Sequence, residues 1–189
     1  MRGTIGALAS ILALGGGLLV AGCERPADAP VPAMKASRAA AFSHDLPEDV
    51  SGYYIPMKEA RVDNWRLHHL FLGQVPDFIA WEEGGRTPGF APVMIEFEDM
   101  AGAPVQTENG ENRRRLRLIP TAYAVTEDRV RFEALSAGLG AVSFDGRLDQ
   151  GALAVARRNL GDEGVVLTGT LKVGKRTFDG VSMRWWAGD

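Results

Sequence analysis

The chain has 189 residues, 46% of them hydrophobic and 24% charged, a balance that suits a packed core and argues against a wholly disordered polypeptide. A formal net charge of -3 argues against a dedicated nucleic-acid binder, and a single cysteine excludes an intramolecular disulfide framework, a Cys₄ zinc site and an iron–sulfur cluster. The length suits one folded domain.

The chain opens with Arg2 and then carries no charge from Ile5 to Val20. That stretch of about 16 residues is short for a spanning helix, which needs roughly 20, and fits the apolar region of a secretory signal. Gly15, Gly16 and Gly17 in its middle would weaken a permanent helix. It ends in Leu19-Val20-Ala21-Gly22-Cys23, and Cys23 is the one cysteine of the chain. This segment resembles the lipobox of bacterial lipoproteins with a type II signal peptide. The resemblance implies that the Cys23 thiol takes a lipid-derived glyceryl group. It further implies cleavage before Cys23, so that residues 1–22 are the signal peptide, and acylation of the new amine, for instance with palmitate. Three acyl chains exceed what stable anchoring requires. In this family Asp after the cysteine favours the inner membrane, so Glu24 points to the outer membrane and a domain facing the periplasm.

Residues 23–49 read as a tether. Pro26, Pro30, Pro32 and Pro47 lie among many alanines with few large apolar side chains. Pro-rich chain is semi-extended, and at roughly 3 Å per residue it would hold a domain tens of ångströms from a bilayer.

Residues 50–189 carry period-two patterning, with weaker strand signals near Gly52–Pro56 and Asn64–Leu72. Val93, Ile95 and Phe97 alternate with Met94, Glu96 and Glu98. Leu116 and Leu118 alternate with Arg115 and Arg117. Further strands are expected at Tyr123–Val125, from Val130, over Val142–Leu148, over Val165–Val173 and up to Trp185. Glu127-Asp128, Gly138-Leu139-Gly140 and Gly174-Lys175 separate them as turns. Two short helices are expected. One runs from Pro76 to Glu83 before Gly84-Gly85; the other runs from Asp149, a candidate N-cap, to Asn159, with Leu153, Ala156 and Leu160 on one face. The expected fold is mainly β: an antiparallel small barrel or two-sheet sandwich of about eight strands with two short helices.

His68 and His69 are adjacent in an expected strand, so they should point to opposite faces and fail to chelate one metal together. No metal site and no cofactor are expected. Ser182 lacks the glycine-flanked turn of a hydrolase nucleophile and lies in an expected strand. Glu96 and Glu98 share a strand face roughly 7 Å apart, a spacing compatible with acid–base carboxylates and equally with an ordinary solvated face. No catalytic residue is assigned. Arg113, Arg115 and Arg117 fall on one face of the densest basic run. They are candidates for contact with anionic lipid, lipopolysaccharide phosphate or an acidic partner, or for cross-strand pairing with Glu96 and Glu98. Trp185 and Trp186 fall on opposite faces of the last strand, as candidate ligand or partner contacts, and the core is the competing place for them.

Thr168-Gly169-Thr170-Leu171-Lys172-Val173, followed by Phe178 to Trp185, resembles the C-terminal hairpin of the periplasmic lipocalin-like YceI domains. Otherwise the domain resembles uncharacterised proteobacterial lipoproteins, a resemblance that implies no activity. The expected role is a non-catalytic binding or envelope-maintenance module, anchored to the membrane by lipid, with an envelope protein as partner. The alternative is a carrier holding a small apolar ligand among Phe144, Leu167 and Trp185. A hydrolase acting through the Glu96 region ranks third.

Overall fold

Alternating apolar residues bury one face of a strand, and here they line the inside of a single curled sheet. The structure is a computed structural model that describes residues 41–108 and 110–188, so the segment expected to be a signal peptide and the expected lipobox residues Leu19, Val20, Ala21, Gly22 and Cys23 lie outside the described residues. The elements in chain order begin with β1 (Phe42–Asp45), β2 (Gly52–Pro56), β3 (Arg61–Val62), β4 (Trp65–Leu72) and α1 (Val75–Glu82). They continue with β5 (Val93–Asp99), β6 (Val105–Thr107), β7 (Gly110–Asn112), β8 (Arg115–Leu118), β9 (Ala122–Thr126) and β10 (Arg129–Ser136). The last are β11 (Gly140–Leu148), α2 (Gln150–Arg158), β12 (Leu167–Val173) and β13 (Arg176–Trp186).

The main path of the sheet runs β1-β9-β10-β11-β12-β13-β2-β4-β5-β8, with β3 attached to β4; β6 and β7 form a separate hairpin. All pairs are antiparallel except β1 with β9. Only residues 119–121 connect β8, at one end of the path, to β9, beside the other end. So short a link forces the two ends of the sheet towards each other, and the sheet curls into a half-barrel.

The mainly β class and the two helices are as expected, but the strand count exceeds eight. The additional elements β1, β3, β6 and β7 are four residues or shorter, too short for alternation to be read. Within the stretch expected as a tether, Phe42–Asp45 instead belongs to the sheet: it pairs in register with Tyr123–Thr126, and Phe42 packs against the core. His44, expected in the tether, instead meets Glu82 of α1 at 3.0 Å and stacks on Phe78.

Inward residues fill the half-barrel. Tyr54, Leu67, Ile95, Phe97, Phe132, Phe144, Leu167 and Leu171 are fully buried side chains. Gly146 pairs with Gly169 across β11 and β12 beneath the ring of Phe144. A Cβ at Gly169 would stand 2.5 Å from the Asp145 carbonyl oxygen and 2.7 Å from Phe144 Cζ, so glycine is what lets the ring lie flat on the sheet there.

Both helices form where the caps place them. Gln74 and Asp77 bracket the first turn of α1 as a capping box, and α1 buries Phe78 and Trp81. Asp149 caps α2 by accepting from the Ala152 N–H, while Leu153 and Ala156 are buried. Leu160 is exposed rather than on the buried face, because the helix ends at Arg158. Among the described residues no helix is long and apolar enough to cross a membrane.

Candidate functional site

Strand β4 carries a break in its apolar period. Leu67 and Leu70 both face the core, three positions apart, while a regular strand would space them by an even number. The pairing with β5 shows why. Leu67 lies opposite Phe97 and His69 lies opposite Glu96, so two steps along β4 match one step along β5. His68 is the extra residue of a β-bulge. Both histidines therefore fall on the outer face, which corrects the expectation that they diverge. Their Nδ1 atoms stand 2.7 Å apart, with the rings nearly perpendicular at 72°.

The sign of this bulge was present in the sequence. The order Leu67-His68-His69-Leu70-Phe71-Leu72 shifts the apolar phase by one residue after Leu67. An extra residue in a strand produces that shift and places both intervening side chains on one face.

Around the pair sits a charged cluster. Glu96 is 2% exposed and Glu98 is 8% exposed, so these carboxylates are buried and not on a solvated face. Arg115 Nη1 donates to Glu96 Oε1 at 3.1 Å, and Arg117 Nε donates to Glu96 Oε2 at 3.2 Å. Arg66 engages Glu98 Oε1 through Nε at 2.8 Å and through Nη2 at 2.5 Å. Cross-strand pairing thus accounts for Arg115 and Arg117, whose register partners are Glu98 and Glu96. Arg113 departs from the expectation of a shared face. It precedes β8, and its Nη1 donates to the Gly102 carbonyl at 2.8 Å.

One donor set collects at this cluster. The ligating atoms of His68, His69 and Glu96 all lie within 4.8 Å of one another. Burial holds the His69 imidazolium below the ordinary histidine range, and the neighbouring Arg115 and Arg117 add to this against the opposing pull of Glu96. Burial and Arg115 lower His68 in the same direction. Burial pushes Glu96 up, but His69, Arg117 and Arg115 outweigh it and hold the carboxylate below its usual range.

Two clefts meet here. The larger, of about 780 Å³, is lined by His68 and His69, by the rings of Tyr53 and Trp186, by Lys58, Arg66, Arg115 and Arg184, and by the carboxylates of Glu59 and Glu98. The smaller, of about 350 Å³, is lined by Glu96, Arg115 and Arg117 with Pro88, Gly89 and Ile119. Arg115 borders both. Tyr53 anchors the aromatic wall, with ring centroids 5.0 Å from His69, 5.2 Å from Phe71 and 5.5 Å from Trp186. A third depression of about 810 Å³ lies over the outer face of β10–β13. Its walls are mostly hydrophilic side chains, with Phe132 and Phe144 also in the lining and Asp145 paired to Arg129 at 2.8 Å, so it carries no comparable chemistry.

No family model, curated protein or solved structure matches the chain.

The two tryptophans separate as their alternation dictates. Trp185 is buried in the core, and its Nε1–H donates to the Ser51 carbonyl at 3.0 Å. That placement puts it on the core side of the strand, away from the lining of the outer cleft. Trp186 is half-buried on the outer face and joins Arg115 in the larger cleft. Two candidates that stand about 70 positions apart in the chain, Arg115 and Trp186, are thereby brought to one site. Phe144 and Leu167, expected to line an apolar cavity, are packed in the core.

Proposed function

We propose that this chain is a lipid-anchored protein of the bacterial envelope whose β domain is a non-catalytic binding module. Its ligand is a small amphipathic anion or the acidic end of a partner chain, taken up in the cleft between Trp186 and the histidine pair. The observation that carries the reading is the composition of that cleft. Tyr53 and Trp186 supply an apolar stacking wall, and Lys58 and Arg184 add cationic groups beside Arg66 and Arg115, whose charges are shared with Glu98 and Glu96. Aromatic surface with adjacent guanidinium groups favours a ligand that has an apolar body and a negative end. Anchoring rests on the lipobox Leu19-Val20-Ala21-Gly22-Cys23 and on the absence of any other cysteine in the sequence.

A carrier role has less support, because Phe144, Leu167 and Trp185 pack against one another's surroundings within the core. The hydrolase reading has less support too: Glu96 is held ionised between two guanidinium groups and is poorly suited to deliver a proton.

Native mass spectrometry of the full-length protein extracted from bacterial membranes tests both halves. The anchor predicts a chain beginning at Cys23 that carries diacylglyceryl and an acyl group, with both lost in Cys23→Ala. The binding module predicts a retained anionic molecule, lost in Arg184→Glu and in Trp186→Ala. An unmodified Cys23 removes the anchor. A ligand retained equally by all variants, or by none including the wild type, removes the cleft as the binding site.

A further inference from the structure

We propose that His68, His69 and Glu96 form a binding site for a divalent transition-metal ion, with zinc as the reference case. This inference is independent of the lipid anchor and of the organic ligand proposed above. It starts from the bulge in β4, which spends one unpaired residue to turn two adjacent imidazoles to the same face. Bulges of this kind re-aim side chains, and this one aims two nitrogen donors at a buried carboxylate on the neighbouring strand.

The geometry suits a metal of the zinc type. A hydrogen bond between two Nδ1 atoms 2.7 Å apart needs one of them protonated and the other unprotonated, its lone pair accepting that hydrogen until a metal replaces it. Ligands at about 2.0–2.1 Å from a tetrahedral zinc stand about 3.3 Å from one another. The two nitrogens therefore need to open by a few tenths of an ångström, and Glu96, with an oxygen within 4.8 Å of a ring nitrogen of each histidine, needs to close. On binding, the ring that donates in the shared hydrogen bond takes its Nε2–H tautomer, so its proton moves from Nδ1 to Nε2 and both Nδ1 lone pairs meet the metal. No redox step is involved.

The surroundings decide which metals fit. Each Glu96 oxygen accepts one hydrogen bond from an arginine, and a carboxylate oxygen has a second lone pair to offer. Arg115 and Arg117 thus orient the carboxylate, as hydrogen-bonded partners of ligating carboxylates do. Their positive charge also opposes a bound cation, which lowers affinity and weighs most heavily on hard ions that depend on charge alone. Two imidazoles with one carboxylate favour zinc, copper(II) or nickel(II) over calcium or magnesium. The donor set offers three protein ligands and leaves a further coordination position for water or an anion. Entry is available from both sides: the histidines border the larger cleft and Glu96 the smaller.

The test is calorimetric titration of zinc into the full-length chain carrying Cys23→Ser, a change that removes the competing thiol. One zinc per chain with a micromolar dissociation constant is expected. His68→Gln should weaken it at least tenfold, as should Glu96→Gln, while calcium and magnesium should give no saturable heat. His68 is half-buried, so His68→Gln is the variant least exposed to a folding defect, and circular dichroism checks that it folds. A second readout needs no substitution: zinc should shift the Nδ1 resonances of His68 and His69 and leave His44 in place. Absence of saturable binding below millimolar zinc, unchanged affinity in folded His68→Gln, or zinc shifts at His44 alone would each overturn the proposal.

Discussion

The indole of Trp185 packs against Gly52, and its Nε1 would stand 2.2 Å from a Cβ placed there. Gly52 has φ 139°, a conformation that other residues adopt only with strain. The close approach lets the Trp185 Nε1–H reach the Ser51 carbonyl at 3.0 Å, and it sets the guanidinium of Arg157 5.4 Å from the indole centroid. Arg157 in turn donates to Asp49 Oδ2 at 2.6 Å. Helix α2 is tied in this way to the entry of β2.

Gly52→Ala should therefore cost about 2–4 kcal/mol, since it adds both backbone strain and an overlap with the ring. Trp185→Phe keeps the apolar body and loses the donor, for about 1 kcal/mol plus the loss in volume. Urea denaturation midpoints check both. A Gly52→Ala variant as stable as wild type would show that the indole is free to move aside.

The cluster at Glu96 predicts an asymmetry. Arg115 and Arg117 are half-exposed, whereas the Glu96 side chain is only 3% exposed. Removing both cations strands a buried carboxylate, so Arg115→Met/Arg117→Met should cost about 3–5 kcal/mol. Removing the carboxylate charge leaves guanidinium groups that water can solvate, so Glu96→Gln should cost only about 1–2 kcal/mol. Equal losses, or the reverse order, would place the weight of the cluster elsewhere.

Acid should destabilise the fold in two stages. His69 has a depressed folded-state pKa, so below the unfolded value of about 6.5 the unfolded chain binds more protons than the folded one. Stability that is complete above that pH falls as the pH drops through and below it. Glu96 is depressed as well, so its contribution is present above the ordinary carboxylate range and is lost on further acidification. The groups facing His69 are His68, Glu96, Arg115, Arg117 and the Tyr53 ring. In metal-free protein, thermal unfolding should shift downward between pH 7.5 and pH 5, and His69→Gln should flatten that segment. A wild-type profile that is flat over the same interval would contradict the buried, neutral imidazole.

Much of the domain was legible from side-chain alternation. The strands β5, β8, β10, β11 and β12 follow apolar residues at every second position, and α2 follows its cap at Asp149. What escaped has physical causes. Strand β1 has four residues and takes its stability from pairing with β9 and from Phe42 against the ring of Tyr123, contacts that no local pattern records. Strand β5 has its polar face covered as well as its apolar one, so Glu96 and Glu98 look solvated in the sequence and are buried in the fold. The histidine pair was hidden by the assumption of an unbroken strand, although the spacing of Leu67 and Leu70 contains the extra residue. Arg115 and Trp186 share a cleft only because β13 and β8 flank the intervening β2, β4 and β5 on one curled sheet, a topological fact.

The central structural claim is that the β4 bulge brings His68 and His69 together above Glu96, and long-range ¹H–¹⁵N spectra of histidine-labelled, metal-free protein at pH 7 test it most directly. Two neutral rings in complementary tautomers are expected, one protonated at Nδ1 and the other at Nε2, with the remaining His69 ring changing its pattern in His68→Gln. Two independent Nε2–H rings that each titrate near the ordinary histidine value would contradict it.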